Sequence, residues 1–435
     1  MIKAPIGLQE LRRRIYRQAK SDKTHRFWGL FLHVTKMETL EEAYRIAKSN
    51  GGAAGSDGQC FADIELAGRA EFLAAVRDAL QSGRYQPRPN RRVEIPKGDG
   101  KVRTLQIPCI RDRVVQGALK LILEAIFEAD FCPNSYGFRP RRSPHRALAE
   151  VRRSVLRRMS TVIEVDLSRY FDTIRHSVLL GKIAKRVQDP KVMHLVKQII
   201  KVGGSVGVPQ GGPFSPLAAN IYLNEVDWAF DAIRRKTATG TYEAVNYHRF
   251  ADDIVITVSG HHSKRGWAER ALQRLQEQLT PLGVELNREK TKLVDTLKGD
   301  AFGFLGFDLR RVRQRKGNRY YVLMTPRKKA RKAIKAKVRD IIRRGGAAPA
   351  KAIVVHLNAA LAGWVNYFRV GNASRAFSEV RDYTEMKVRT LLTRRKQRRK
   401  RSVGWRRWSN EYLYDVLGLF WDWKLHPLPG AERYS

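Results

Sequence analysis

Cysteine is scarce in this chain of 435 residues: three in all, Cys60, Cys109 and Cys132, far apart and without a C-x-x-C pair. That excludes a disulfide scaffold and a zinc ribbon or finger. No apolar run approaches the roughly 20 residues that a membrane helix needs. Met1-Ile2-Lys3-Ala4-Pro5 lacks the basic-then-hydrophobic opening of a secretory signal, so a cytoplasmic protein is expected. Acidic residues are also short, with 42 Asp+Glu against 84 Lys+Arg, a formal charge of +42. What is there is a 43% apolar fraction with 33 glycines, enough for a packed core, on a length that suggests two or three domains. The surplus of cations points to nucleic acid, because neutralising phosphates releases counterions and rewards this much Lys and Arg. A membrane surface would attract the charge too, but no amphipathic stretch sets Trp and Leu opposite Lys.

The charge is unevenly placed. From Arg310 to Arg407 there are 31 Lys+Arg and four acids (Asp340, Glu379, Asp382, Glu385), so under a quarter of the chain carries +27 of the +42. The first 300 residues are closer to balance and have the texture of a mixed α and β enzyme. A boundary is expected between Asp308 and about residue 325, and Gly345-Gly346-Ala347-Ala348-Pro349 separates two helical stretches beyond it. Arg394 to Arg401 reads RRKQRRKR, seven cations in eight positions. That exceeds what solubility requires and reads as a phosphate-binding surface.

Residues 8–20, 38–48 and 68–82 have helical spacing, and 91–96 with 101–107 read as a hairpin joined by Lys97-Gly98-Asp99-Gly100. An apolar helix over 112–128 and a basic one over 143–158 follow. Thr161 to Leu167 alternates as a strand that turns Glu164 and Asp166 away from the apolar face. Asp172 is placed to cap the helix that runs to about Val187. Val206 to Pro213 is a rigid, side-chain-poor loop without the Gly-Lys-Ser/Thr of a phosphate-cradling loop. Ser215 then offers an N-cap, with Pro216 as the first helical residue. The sharpest local signal is Tyr247 to Val258, two strands flanking Asp252-Asp253. An exposed Asp-Asp turn is common, but adjacent carboxylates against an apolar hairpin favour a bound cation. A strand ending in Asp166, followed by a hairpin tipped with two acids, suits nucleotidyl transfer in which three carboxylates hold two Mg²⁺ ions at a primer 3′-hydroxyl.

The order of these pieces resembles that of group II intron-encoded reverse transcriptases/maturases, from about Gly55 to about Arg401. Gly55-Ser56-Asp57-Gly58 is similar to the opening motif of that family. Ile95-Pro96-Lys97 through Arg103, Ile107-Pro108 and Asp112-Arg113 resemble its first fingers block, and Ser135-Tyr136-Gly137-Phe138-Arg139-Pro140 its second. Asp166 to Asp172 resembles palm motif A, Pro209-Gln210-Gly211-Gly212-Pro213 motif B, Phe250-Ala251-Asp252-Asp253 motif C and Asn287 to Thr291 motif D. Phe304-Leu305-Gly306-Phe307 resembles the primer grip, and Gly363-Trp364-Val365-Asn366-Tyr367-Phe368-Arg369 the maturase (X) or thumb domain.

The resemblance implies an α+β right-hand polymerase, its fingers and antiparallel palm sheet followed by an α-helical thumb/maturase domain. The implied segments are a helical extension over 1–54, fingers and palm over 55–310, thumb/maturase over 311–401, and a basic, aromatic segment over 402–435 that binds DNA or RNA or docks on the thumb. Asp166, Asp252 and Asp253 would be catalytic and hold two Mg²⁺, for which Mn²⁺ could substitute. Lys97 and Arg103 would reach the triphosphate, Gln210 and Gly211 would lie against the incoming dNTP, Phe171 would exclude a 2′-hydroxyl, and Lys290 would donate a proton to pyrophosphate. Leu305, Gly306 and Phe307 would grip the primer. Leu357, Leu361, Trp364, Val365 and Phe368 would form the thumb core. Arg369, Arg375, Arg381, Lys387, Arg389, Arg394, Arg395, Lys396, Arg398, Arg399, Lys400 and Arg401 would face RNA from outside it.

The implied function is RNA-directed DNA synthesis by a protein that binds group II intron RNA, assists its splicing and copies it at a target DNA. A nucleoid-associated bacterial protein follows, with dimerisation left open. A free-standing relative serving repair or phage defence is an alternative, as is an RNA-binding splicing cofactor with an idle polymerase. Three departures stand out: Phe250 where the family has Tyr, no Cys/His cluster of an HNH endonuclease, and a long stretch before Gly55.

Overall fold

The computed structural model describes residues 6–98, 101–238, 243–261, 266–314, 319–395 and 407–428; the side chains of Ile6, Lys97, Gly98 and Lys101 lie outside that description. Its strands are β1 (Arg91–Gly98), β2 (Lys101–Ile107), β3 (Thr161–Val165), β4 (Leu167–Ser168), β5 (Val245–Phe250), β6 (Asp253–Val258), β7 (Glu285–Leu286), β8 (Lys292–Asp295), β9 (Ala301–Phe304), β10 (Phe307–Arg313) and β11 (Tyr320–Pro326). Helices and antiparallel strands are mixed throughout. The chain forms two compact units: Met1–Arg142 with Val165–Ile254 and Glu269–Thr291, and Ser143–Glu164 with Val255–Ala268 and Lys292–Ser435. Both are interleaved in sequence, so they cut across the four consecutive segments drawn from motif order. Among the described residues no helix is long and apolar enough to cross a membrane.

The first unit is built around the helix Ile110–Glu128. Apolar residues lie on all its faces, and Val114, Val115, Ala118, Leu119, Ile122, Leu123 and Ile126 are fully buried. Helices Ile6–Ser21 and Met37–Ser49 pack against it. Arg12 ties down the first of these, donating to the Leu121 carbonyl (3.0 Å) and to Glu124 (2.9 Å). The N-terminal stretch is helical as expected, and Leu8, Leu40 and Tyr44 put it in the core of this unit. The hairpin expected at 91–107 is present, with Arg91 opposite Ile107 and a register shift between Pro96 and Gly98 that leaves Lys97 at a bulge.

In the second unit β3 pairs antiparallel with β8, Thr161 opposite Asp295, and β10 lies between β9 and β11. Helices Lys328–Arg344, Ala350–Phe368 and Ser374–Arg395 follow. Leu357, Leu361, Val365 and Phe368 are buried as the helical spacing predicts, and Trp364 partly so. Trp408, Leu413, Leu417 and Leu419 of the C-terminal segment join Ile334, Val338, Ile353, Leu357 and Val388 in one core. The apolar half of that segment therefore docks on these three helices.

Two expected caps are corrected. The helix His176–Ala184 begins after Arg175, and Asp172 faces Gln210 instead of capping it. Ser215 is the first residue of the helix Ser215–Thr237, not its cap; its hydroxyl donates to the Pro209 carbonyl (2.5 Å), pinning the preceding loop. Because Leu413 is fully buried in this core, Leu413→Ala should destabilise the protein by about 2–5 kcal/mol. Thermal unfolding with an unchanged midpoint would show that the segment contributes nothing to that core.

Candidate active site

Asp166, Asp252 and Asp253 all belong to the first unit. Asp166 lies between β3 and β4, where the strand breaks, with its side chain 40% exposed. Its carbonyl accepts from the Asn287 N–H (2.8 Å), and β4 pairs with β7 beside it, Leu167 opposite Leu286. The Lys290 ammonium stands 3.2 Å from the Asp166 carboxylate. Motif D is thus brought against motif A across 124 residues of sequence.

Asp252 and Asp253 sit at the tip between β5 and β6, both exposed. Ala251 turns the tip with φ 56°, a left-handed conformation that costs an alanine about 1–2 kcal/mol and so has to be held. What holds it lies beneath. Arg249 is fully buried and makes a two-pronged ion pair with the equally buried Asp227, Nε–Oδ1 2.7 Å and Nη2–Oδ2 2.5 Å. Its remaining Nη1 donates to Asn220 Oδ1 (2.9 Å) and to the Ala251 carbonyl (3.0 Å). Burial alone would lower the guanidinium pKa, but the Asp227 carboxylate outweighs it and the net shift is upward. Asn220 in turn donates to the Gly137 carbonyl (2.8 Å).

The second fingers motif locks onto the same strand. Arg249 N–H donates to the Asn134 carbonyl (3.0 Å), and Tyr136 N–H to the Arg249 carbonyl (2.8 Å). Gly137 passes so close that a Cβ there would lie 2.4 Å from the Ala251 nitrogen, which no side chain allows. The Phe138 and Phe250 rings are 6.3 Å apart, so Phe250 keeps an aromatic neighbour without a hydroxyl. Tyr170, four residues after Asp166, is buried with its hydroxyl on the Ala219 carbonyl (2.5 Å). Burial raises its pKa well above the usual range.

The loop of motif B meets the fingers hairpin. Gln106 N–H donates to the Gln210 carbonyl (2.7 Å), and a Cβ on Gly211, at φ 131°, would lie 2.6 Å from the Gln106 carbonyl oxygen. Arg103 Nε donates to Gln210 Oε1 (2.8 Å), and Gln210 Nε2 donates to Asp172 Oδ1 (3.2 Å). Both ends of the glutamine amide are therefore fixed, and Arg103 is aimed by it. Phe171 is partly exposed, packs edge-on against Tyr170 and accepts at its carbonyl from Val208 N–H (2.8 Å). Lys97 lies in β1, and its side chain is outside the described residues.

In the second unit, Leu305 (φ 48°) and Gly306 (φ 78°) make a tight turn whose Leu305 carbonyl accepts from the Tyr367 hydroxyl (3.0 Å). Phe307 is fully buried against Phe368, ring centres 4.9 Å apart, so it anchors this turn from inside. Arg375 and Arg394 are exposed. Three arginines are committed elsewhere. Arg369 pairs with Asp422 (2.8 Å), Arg395 donates to the Gly346 and Ala348 carbonyls, and Arg389 is buried on Glu385 and the Trp408 carbonyl. The expectation that Arg389 lies on the outside is thus corrected. Lys396, Arg398, Arg399, Lys400 and Arg401 lie outside the described residues.

Exposed carboxylates are the donors that hard divalent cations prefer, so the chemistry of Asp166, Asp252 and Asp253 fits such ions. Among the described residues no three acidic, histidine or cysteine side chains are grouped closely enough to hold a metal ion. Sequence reading missed Asp227, Asn220 and Arg249. Asn220 and Asp227 lie seven residues apart, on the buried face of the helix Ser215–Thr237, and Arg249 lies in a buried strand. Those polar interruptions were the available signal.

Comparison with known proteins agrees with this geometry. Residues 95–309 match the family described as reverse transcriptase (RNA-dependent DNA polymerase), and 331–410 match the group II intron, maturase-specific domain. The chain is 38% identical over 362 residues to Protein YkfC of Escherichia coli (strain K12), a match covering 74% of this chain and 94% of that one. It is 28% identical over 360 residues to the group II intron-encoded protein LtrA of Lactococcus lactis subsp. cremoris, covering 68% of this chain and 59% of LtrA. Reverse transcriptases as a class work with divalent metal ions. The motifs, their meeting in one unit and these matches converge: the chain belongs to the group II intron reverse transcriptase/maturase family and is an RNA-directed DNA polymerase.

Proposed function

We propose that this enzyme binds group II intron RNA, assists its splicing and copies it into DNA by target-primed synthesis, with two Mg²⁺ ions held by Asp166, Asp252 and Asp253. The observation that carries the reading is the clamp at Arg249, which fixes the tip bearing Asp252 and Asp253 in the same unit as Asp166. Bound there, divalent ions would neutralise the triphosphate and favour ionisation of the primer 3′-hydroxyl. The chain's own residues supply position and charge. Arg103, aimed by Gln210, would take the triphosphate, and Phe171 would close the sugar face against a 2′-hydroxyl. Lys290, already beside Asp166, would leave that carboxylate and donate its proton to pyrophosphate. Fingers and palm over 55–310, thumb/maturase over 311–401, and a right-hand arrangement of the two are part of the proposal. The exposed cations Arg375 and Arg394, with the 394–401 run, would meet the phosphates of the intron RNA.

The reading predicts Mg²⁺-dependent dNTP addition to a DNA primer on an RNA template. Replacing Asp252 and Asp253 together by Ala should abolish extension and leave RNA affinity intact; synthesis that survives the double change would sink the site. The amide relay makes a finer prediction. Asp172→Ala releases one end of Gln210 and should raise the KM for dNTP by about 5-fold, the equivalent of one hydrogen bond near 1 kcal/mol, with kcat little changed. Asp172→Asn keeps an acceptor oxygen and should restore the KM. Equal losses in both variants would mean that Asp172 does not act through Gln210.

A further inference from the structure

The C-terminal segment holds a cavity of about 420 Å³ that the polymerase chemistry does not use. It is lined by Arg381, Asp382 and Glu385 of one thumb helix and by Asn410, Tyr414, Trp421 and Trp423. The backbone that carries the two tryptophans is fixed from both sides. Asn358 donates to the Gly418 carbonyl (2.7 Å) and accepts from Phe420 N–H (2.8 Å). Arg369 donates to the Asp422 carboxylate (2.8 Å), and its carbonyl accepts from His426 N–H (2.8 Å). Trp423 is tied by its indole N–H to the Phe420 carbonyl (3.3 Å) and rests against Phe377. Trp421, between these anchors, is left 70% exposed. A rigid backbone that presents a bare indole at the mouth of a cavity is a binding surface, because an uncovered aromatic of this size gains only when something covers it.

The lining chooses among occupants. A cationic ligand is disfavoured: Arg381 lines the wall and Lys424 stands 5.9 Å from the Trp421 ring centre. A bare phosphate is disfavoured by Asp382 and Glu385. Glu385 is already satisfied, accepting from the Tyr414 hydroxyl (2.6 Å) and from Arg389 (3.1 Å). Asp382, 65% exposed beside Arg381 at 3.3 Å, offers acceptor oxygens. Asn410 uses its oxygen on Arg389, which leaves its NH₂ group as a donor. The combination is a flat aromatic platform with one acceptor and one donor on the wall and cations outside, and it matches a nucleobase whose phosphates stay in solvent.

We propose that this cavity is a socket for one unpaired nucleotide of single-stranded RNA or DNA, its base stacked on Trp421 and its edge read by Asp382 and Asn410. The inference rests on nucleic acid being the substrate of the enzyme, and names a contact on a unit other than the one that holds the three carboxylates.

The test uses the full-length protein with two 12-nucleotide probes of the same sequence, one RNA and one DNA, at fixed salt. Fluorescence anisotropy should show Trp421→Ala weakening at least one probe by roughly 5- to 100-fold, the range of one lost base stack, with Trp421→Phe recovering most of it. Trp421 is exposed, so the thermal midpoint of the Ala variant should not move, and neither should its extension rate on a saturating pre-annealed template–primer. Loss on one probe alone identifies which nucleic acid enters. A 5-iodouracil-substituted probe should crosslink within residues 407–428 or at Arg381, Asp382 and Glu385. Equal affinity of wild type and Trp421→Ala for both probes, or crosslinks confined to other segments, would overturn the socket. Wild-type protein that binds the probes through Trp421 yet extends no primer would instead sink the polymerase reading alone.

Discussion

A single buried ion pair underlies the tip that carries Asp252 and Asp253. Arg249 and Asp227 are both without solvent contact, and charges so placed are tolerable only when each is met in full. Here they are: two bonds run between them, Asn220 and the Ala251 carbonyl take the remaining guanidinium nitrogen, and Gly137 accepts from Asn220. Removing one partner from such a pair costs about 3–5 kcal/mol, because the other is left charged in the interior. The pair also joins three distant stretches of sequence: the helix after motif B, the strand before motif C and the second fingers motif. The left-handed turn at Ala251, and the carboxylates that follow it, are held by that junction.

The hairpin of β1 and β2 is coupled to the loop of motif B by smaller means. The Gln210 backbone bonds the end of the hairpin while its side chain bridges Arg103 and Asp172. The glycine at 211 is there because the Gln106 carbonyl occupies the space of a side chain. In the helices of the second unit, by contrast, several arginines serve the fold. Arg369 and Arg389 fasten the C-terminal segment, which then lends its apolar side chains to the core. The +27 of Arg310 to Arg407 therefore overstates the charge free to meet phosphate, although exposed members such as Arg375 and Arg394 remain.

Much of this was legible in sequence. Alternation disclosed the strand leading to Asp166, the Gly-rich connection disclosed the hairpin of β1 and β2, and helical spacing disclosed the core of the helix Ala350–Phe368. Motif order disclosed the family. What stayed hidden depends on long-range contact. Asp172 has every local property of an N-cap, yet a glutamine 38 positions away claims its carboxylate. Arg389 reads as a surface cation until Trp408 and Glu385 enclose it. Asn220, Asp227 and Arg249 are unremarkable one at a time, and their meaning lies in a convergence that no local pattern records. Trp421 differs from Trp408 and Trp423 by exposure alone, which composition does not distinguish.

The central claim is that the buried pair positions the carboxylate tip, and Arg249→Lys tests it most directly. Lysine keeps the charge but loses the two-pronged geometry and cannot reach Asp227, Asn220 and Ala251 together. On protein whose circular dichroism matches wild type, single-nucleotide incorporation should slow by about 100-fold, the scale of an ångström-sized misplacement of reacting groups. Incorporation at the wild-type rate by a folded Arg249→Lys enzyme would contradict the account.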